Sequence, residues 1–296
     1  MADIIMKNET LEIGIHLHGA ELKSLRKLST DTEYLWCADP VYWNRTSPVL
    51  FPFVGGVKNG IYRHEGKVYR IGQHGFARDR EFTLLNQTED TAWFVLEDDE
   101  ESRKIYPFAF RLEIGYQLLK DGVKVMWKVK NPAEEVMYFS IGAHPAFNCP
   151  LRQGEKQTEY QICLQDKEGK VLNEFENTIF GQGGTVTLRH ETVKLEDGIL
   201  PITETLFDND AKVIENGQVQ RVVLLDGSGE EYLAVEFDAP LVGIWSPPKK
   251  QAPFVCIEPW YGRCDSEVFD GELKDREWEQ VLQPGEEFRA EYKIVV

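Results

Sequence analysis

The chain has 296 residues, enough to bury a substantial core, and its 42% hydrophobic and 28% charged content is that of an ordinary globular protein. Fifty acidic against 33 basic residues leave a net charge of −17, which disfavours nucleic acid and anionic membranes, since both call for basic patches. Five cysteines are widely spaced without a Cys-x-x-Cys pair, so neither a zinc ribbon nor a redox dithiol is expected. Free thiols, a polar N-terminus and the lack of a membrane-length apolar run point to a cytoplasmic protein.

Period-two alternation dominates the chain. Leu11, Ile13, Ile15 and Leu17 alternate with Glu12, Gly14 and His16, predicting a half-buried strand over 11–17. His16 and His18 share a face there, but no third ligand keeps metal spacing with them, so they read as a solvated polar face and no metal site is expected. Further strands are predicted over 110–119, 123–131, 136–141, 160–166, 221–226, 232–238 and 254–258. Turns such as Lys120-Asp121-Gly122 and Asp226-Gly227-Ser228-Gly229 separate them. Such a pattern predicts an all-β fold, a large antiparallel sandwich or a barrel, in one domain spanning residues 1–296. Few short helices are expected, the best within 270–282, where Leu273, Trp278, Val281 and Leu282 would form an apolar face. No βαβ rhythm or Gly-x-Gly-x-x-Gly turn suggests a dinucleotide fold.

Three stretches place a titratable side chain among Gly, Pro and aromatic residues. His74 precedes Gly75, a residue that lets a ligand approach the backbone. His144 precedes Pro145 and follows a predicted strand. Glu258 is the lone charge among Phe254, Val255, Cys256, Ile257, Pro259 and Trp260. A carboxylate in such company is desolvated or paired, and either condition moves its pKa. A hydrogen-bonded turn histidine and a structural ion pair with an arginine are the alternative readings. In alternation, Glu258 would share a face with Phe254 and Cys256. Arg45 and Arg78 offer forks for hydroxyls or a phosphate. Trp36, Trp43, Trp245, Trp260 and Tyr261 are candidates for stacking on a sugar.

Taken in order, five segments resemble the aldose 1-epimerase (galactose mutarotase) superfamily, most closely its LacX-like branch. They are Tyr42-Trp43-Asn44-Arg45 with Pro48 to Pro52, His74-Gly75-Phe76-Ala77-Arg78, Gly142 to Asn148, Leu206 to Ala211, and Phe254 to Gly262. The resemblance covers nearly the whole chain. It implies a β-supersandwich with a cleft on one sheet, Glu258 as catalytic base, His144 as catalytic acid and His74 near the sugar ring oxygen. It also implies a sugar-binding aspartate in 206–211, with Asp210 favoured over Asp208, and a substrate-binding Arg45. His74-Gly75-Phe76-Ala77-Arg78 resembles the hexose-6-phosphate mutarotases, where the arginine contributes to phosphate binding. The Ala143-His144-Pro145 context departs from the galactose enzymes. A free aldose and an aldose 6-phosphate therefore both remain substrates to consider.

The implied reaction interconverts α and β anomers by acid/base ring opening and closure, with no cofactor. Glu258 would be ionised at neutral pH, and a nearby carboxylate would keep His144 protonated. A small-molecule sugar or sugar phosphate is the expected partner, and a homodimer is compatible with the sequence. A carbohydrate-binding protein without catalysis is the principal rival, followed by a glycoside hydrolase.

Overall fold

The computed structural model describes residues 2–296. Two large antiparallel sheets face each other. One has nine strands, in spatial order Ile199–Pro201, Gln161–Gln165, Arg221–Leu225, Glu231–Phe237, Glu287–Val295, Gly122–Lys130, Arg111–Leu118, Thr91–Glu97 and Thr83–Gln87. The other has eight strands, with Phe254–Tyr261 near its centre. That strand pairs with Leu241–Trp245 on one side, and with Ile141–Ala143 and Ala146–Asn148 on the other. A four-stranded sheet is built from Ile4–Lys7, Leu11–Ile15, Leu22–Lys27 and Thr32–Glu33. The expected all-β sandwich is the fold found.

Alternation explains how the sheets meet. Leu112, Ile114, Val123, Val125 and Val129 of the nine-stranded sheet join Val255 and Ile257 of the other in one buried cluster. Phe254, Cys256, Glu258 and Trp260 therefore point away from that core, as the alternation of strand side chains requires. Both faces of this strand are covered, which is why it reads as an almost unbroken apolar run.

Three expectations need correction. No helix forms over 270–282: a short 3-10 turn at Leu273–Asp275 leads to the strand Gln280–Leu282, which pairs with Met137–Phe139. Trp278 adopts φ 65°, outside helical geometry, and Arg276 turns inward to Asp265, so buried ion pairing overrides the apolar spacing. The α-helix instead spans Glu100–Ile105, started by a reciprocal capping pair of Asp99 and Ser102. The strand expected over 136–141 is broken at Ser140, whose N–H donates to Pro52 O and whose Oγ accepts from Val54 N–H. The strand beginning at Leu11 stops at Ile15, so His16 and His18 lie beyond it, and His18 Nδ1 is 2.7 Å from Glu81 on the surface.

Candidate active site

A cavity of about 370 Å³ opens over the outward face of Phe254–Tyr261. Glu258, His144, His74, Arg45, Arg78, Asp210 and Trp260, drawn from distant parts of the chain, all line it. Asp208 does not; it lines a neighbouring depression. Trp43 and Trp245 complete an aromatic wall, whereas Trp36 is buried behind it and Tyr261 packs toward the core.

Sheet register places the floor. Glu258 lies opposite Gly243, and Trp260 lies opposite Gly142 on the other side. A Cβ at Gly243 would stand 2.4 Å from the Trp260 ring, and one at Gly142 2.6 Å from it. The indole occupies the room that two glycines leave, and this accounts for glycine within two strands.

His144 is held by rings. Trp43 stacks on it at 4.7 Å between centroids, while Trp245 and His74 approach edge-on at 5.4 and 5.5 Å. Trp36 Nε1 donates to Trp43 O at 2.9 Å and anchors the stacking residue. His144 Nε2 stands 3.3 Å from Glu258 Oε1, and both side chains are almost wholly inaccessible. His144 Nδ1, Glu258 Oε2 and Trp260 Nε1 are buried with no hydrogen-bond partner among the described residues.

Burial pushes the Glu258 carboxyl well above its ordinary range, and the negative charge of Asp210 adds to the rise. The Trp260 indole N–H pulls the other way, but from outside hydrogen-bonding geometry with Oε2. Burial, followed by the positive charge of Arg78, drives His144 down to about 3. A protonated carboxyl beside a neutral imidazole, and a carboxylate beside an imidazolium, contain the same number of protons. Both shifts act against the charged form of each group, so burial alone disfavours the expected carboxylate–imidazolium pair. The arginine partner considered for Glu258 is absent among the described residues; its ion-pairing neighbour is His144.

His74 differs. Gly55 N–H donates to its Nδ1 at 3.1 Å, so Nε2 carries the hydrogen in the neutral ring. Burial, then the charges of His144, Arg78 and Arg45, holds its pKa well below the usual histidine value. It is therefore a neutral N–H donor. Gly75 beside it cannot carry a side chain, because a Cβ would lie 2.2 Å from Phe51 O.

The two arginines share Asp79: Arg45 Nη2 donates to Oδ1 at 2.8 Å, and Arg78 Nε lies 3.8 Å from Oδ2. Arg78 Nη2 donates to Gln73 O at 2.8 Å, while its buried Nε has no hydrogen-bond partner. Burial, then Arg45, lowers the Arg78 pKa to about 10, which leaves it cationic at neutral pH. Glu21 Oε1 accepts from Thr46 and Ser47 N–H at 2.7 and 2.8 Å and fixes the loop that presents Arg45. Sequence reasoning missed Gln73, Asp79, Gly55, Cys264 and Glu21. Only Gly55, in the pair Gly55-Gly56, carried a signal: a turn held close to another backbone.

Residues 3–295 match the aldose 1-epimerase family. The chain belongs to that family. It is 32% identical over 301 residues to the chromosomal protein LacX of Lactococcus lactis subsp. lactis, covering 99% of both chains. A galactose mutarotase related enzyme from Lactobacillus acidophilus is 34% identical, with TM-score 0.92 over 99% of this chain and 96% of that one. A galactose mutarotase-like protein from Lactobacillus casei is 28% identical, with TM-score 0.91 over 99% of both chains. This protein is thus a sugar epimerase of isomerase type. None of its helices is long and apolar enough to cross a membrane, among the described residues.

Proposed function

We propose that the protein interconverts the α and β anomers of an aldose or aldose 6-phosphate, with Glu258 and His144 as the acid/base pair and the whole chain acting as one domain. The observation that carries this reading is the 3.3 Å contact of His144 Nε2 with Glu258 Oε1 in an aromatic-walled cavity. Ring opening removes a proton from the anomeric hydroxyl and delivers one to the ring oxygen. Those oxygens share one carbon, so a base and an acid in mutual contact reach both. The carboxylate–imidazolium form begins the opening. Proton transfer to Glu258 and from His144 leaves the neutral form, and closure on the other face of the aldehyde reverses both transfers. Opening thus delivers the pair to the protonation state that burial favours. No electrons move, so the chemistry calls for no cofactor. A positioned acid and base contribute about 10²- to 10⁴-fold each.

His74 donates through Nε2–H to a sugar oxygen and does not act as an acid, because among the described residues no carboxylate forms an ion pair with it to hold a second proton. Asp210 accepts from sugar hydroxyls, and Trp260 packs on an apolar sugar face. Arg45 and Arg78 bind hydroxyls or a 6-phosphate; the partnerless Arg78 Nε favours an anion. Anomer exchange followed by NMR on glucose, galactose and their 6-phosphates tests the reading. Exchange faster than the uncatalysed rate is expected. Acceleration confined to the phosphates assigns the arginines to phosphate. Binding without acceleration of any of the four sugars would overturn the catalytic reading in favour of a carbohydrate-binding protein.

A further inference from the structure

Behind the cavity lies a cluster of buried charges that the reaction does not use. Arg276 Nε donates to Asp265 Oδ1 at 2.7 Å, Nη2 to Arg263 O at 3.0 Å and Nη1 to Glu279 at 2.5 Å. Its guanidinium lies 4.8 Å from the centroid of Phe53. Asp265 faces the other way as well. Its backbone N–H donates to Gly56 O at 3.0 Å, and its Oδ2 accepts from Lys58 N–H at 2.8 Å. It grips a turn whose first residue, Gly55, grips His74 twice. His74 N–H donates to Gly55 O at 2.8 Å, and Gly55 N–H donates to His74 Nδ1 at 3.1 Å.

We propose that Asp265 and Arg276 are positioning residues that clamp the Gly55–Lys58 turn and thereby fix the tautomer and aim of the His74 imidazole. The inference rests on His74 as the sugar-facing donor. Two features make the clamp necessary. His74 adopts φ 67°, a left-handed conformation that a side-chain-bearing residue holds only when its surroundings enforce it. Gly55, at φ 71°, lies so close to Cys264 that a Cβ would stand 2.5 Å from the Cys264 Cβ. The turn is pressed against the segment that Asp265 and Arg276 hold. Arg263 Nη1 secures the Cys264 carbonyl at 3.0 Å from the same side. Loss of the Asp265 acceptor frees Lys58 N–H, the turn relaxes, and Gly55 N–H no longer selects Nδ1 as the acceptor.

The test is Asp265→Ala, which removes both carboxylate oxygens, with Arg276→Lys read in the same way should the first variant not fold. Nitrogen-15 NMR of labelled histidines, with the His74 signals assigned by their loss in His74→Ala, reads the tautomer without any sugar. The expected result is a single Nε2–H tautomer in the wild type and a mixture in the variant, with kcat/KM for anomer exchange down roughly 10- to 100-fold. Added to His74→Ala, the same substitution should cost no further rate, because its effect passes through the missing ring. An unchanged His74 tautomer, or an equal rate loss on the His74→Ala background, would assign the cluster to stability alone and overturn the proposal. Should the wild type exchange no sugar, the functional reading fails, and the tautomer still decides this one.

Discussion

Two regions of this protein bury charge, and they do it in opposite ways. Around Arg263 and Arg276 nearly every polar atom is matched: Glu215 takes Arg263, Thr178 and Trp278, and Asp265 takes Arg276 and Lys58. Glu279 Oε1 is the exception. Around Glu258 and His144 the pattern is reversed, with three polar groups left without partners beside a single 3.3 Å contact. A partnerless buried polar atom costs about 1–3 kcal/mol. The cavity therefore presents unpaired polar groups for a ligand to engage, whereas the ion cluster matches its charges within the wall behind it.

Substitution should separate the two. Glu258→Gln is expected to lower kcat by about 10²- to 10⁴-fold. Its melting temperature should be unchanged or raised, because a buried titrating group is replaced by a neutral one of the same shape. Near-wild-type exchange would remove Glu258 from the chemistry, and a large fall in melting temperature would erase the contrast. Arg276→Met is the converse. It leaves Asp265 and Glu279 buried without their cation and should cost about 3–5 kcal/mol in denaturant unfolding.

The smallest effect sharpens the comparison within the ion cluster itself. Burial and the Asp265 carboxylate outweigh Arg276 and raise Glu279 to about 7, from 4.5 in the free side chain. A raised folded-state pKa means that the native protein binds the proton more tightly than the unfolded chain. Its contribution to stability is full below about 4.5 and is lost as pH rises through about 7. Glu279→Gln should therefore gain stability relative to wild type between about pH 5 and pH 8, measured as the difference in unfolding free energy. A pH-independent difference would show that Glu279 does not titrate there.

The sequence disclosed these regions unequally. Strands with one exposed face were legible from alternation, and the face that Glu258 shares with Phe254 and Cys256 followed from their two-residue spacing. Five of the seven cavity residues stood out as single titratable groups among Gly, Pro, aromatic or apolar neighbours and Trp260 as a stacking candidate, whereas Asp210 came only from the family resemblance. The ion cluster was not legible. Asp265 and Arg276 are separated by eleven positions and meet across the turn at Leu273–Asp275, so no local period joins them. The same cluster defeated the helix expected over 270–282, where apolar spacing was outweighed by an inward arginine. The helix at Glu100–Ile105 is too short to show a period; its signal was the cap at Asp99. The push of burial against charge on Glu258 and His144 was not legible either, since it is a property of the assembled cavity.

The aromatic wall has one practical consequence. Three of the seven tryptophans in the chain, Trp43, Trp245 and Trp260, line the cavity, and the Trp260 indole N–H lacks a partner there. A hydroxyl-rich guest that engages this N–H and displaces solvent from the three rings changes their emission directly. The protein thus carries its own optical reporter of occupancy, and affinity can be measured by intrinsic fluorescence even for a sugar that it binds but does not turn over.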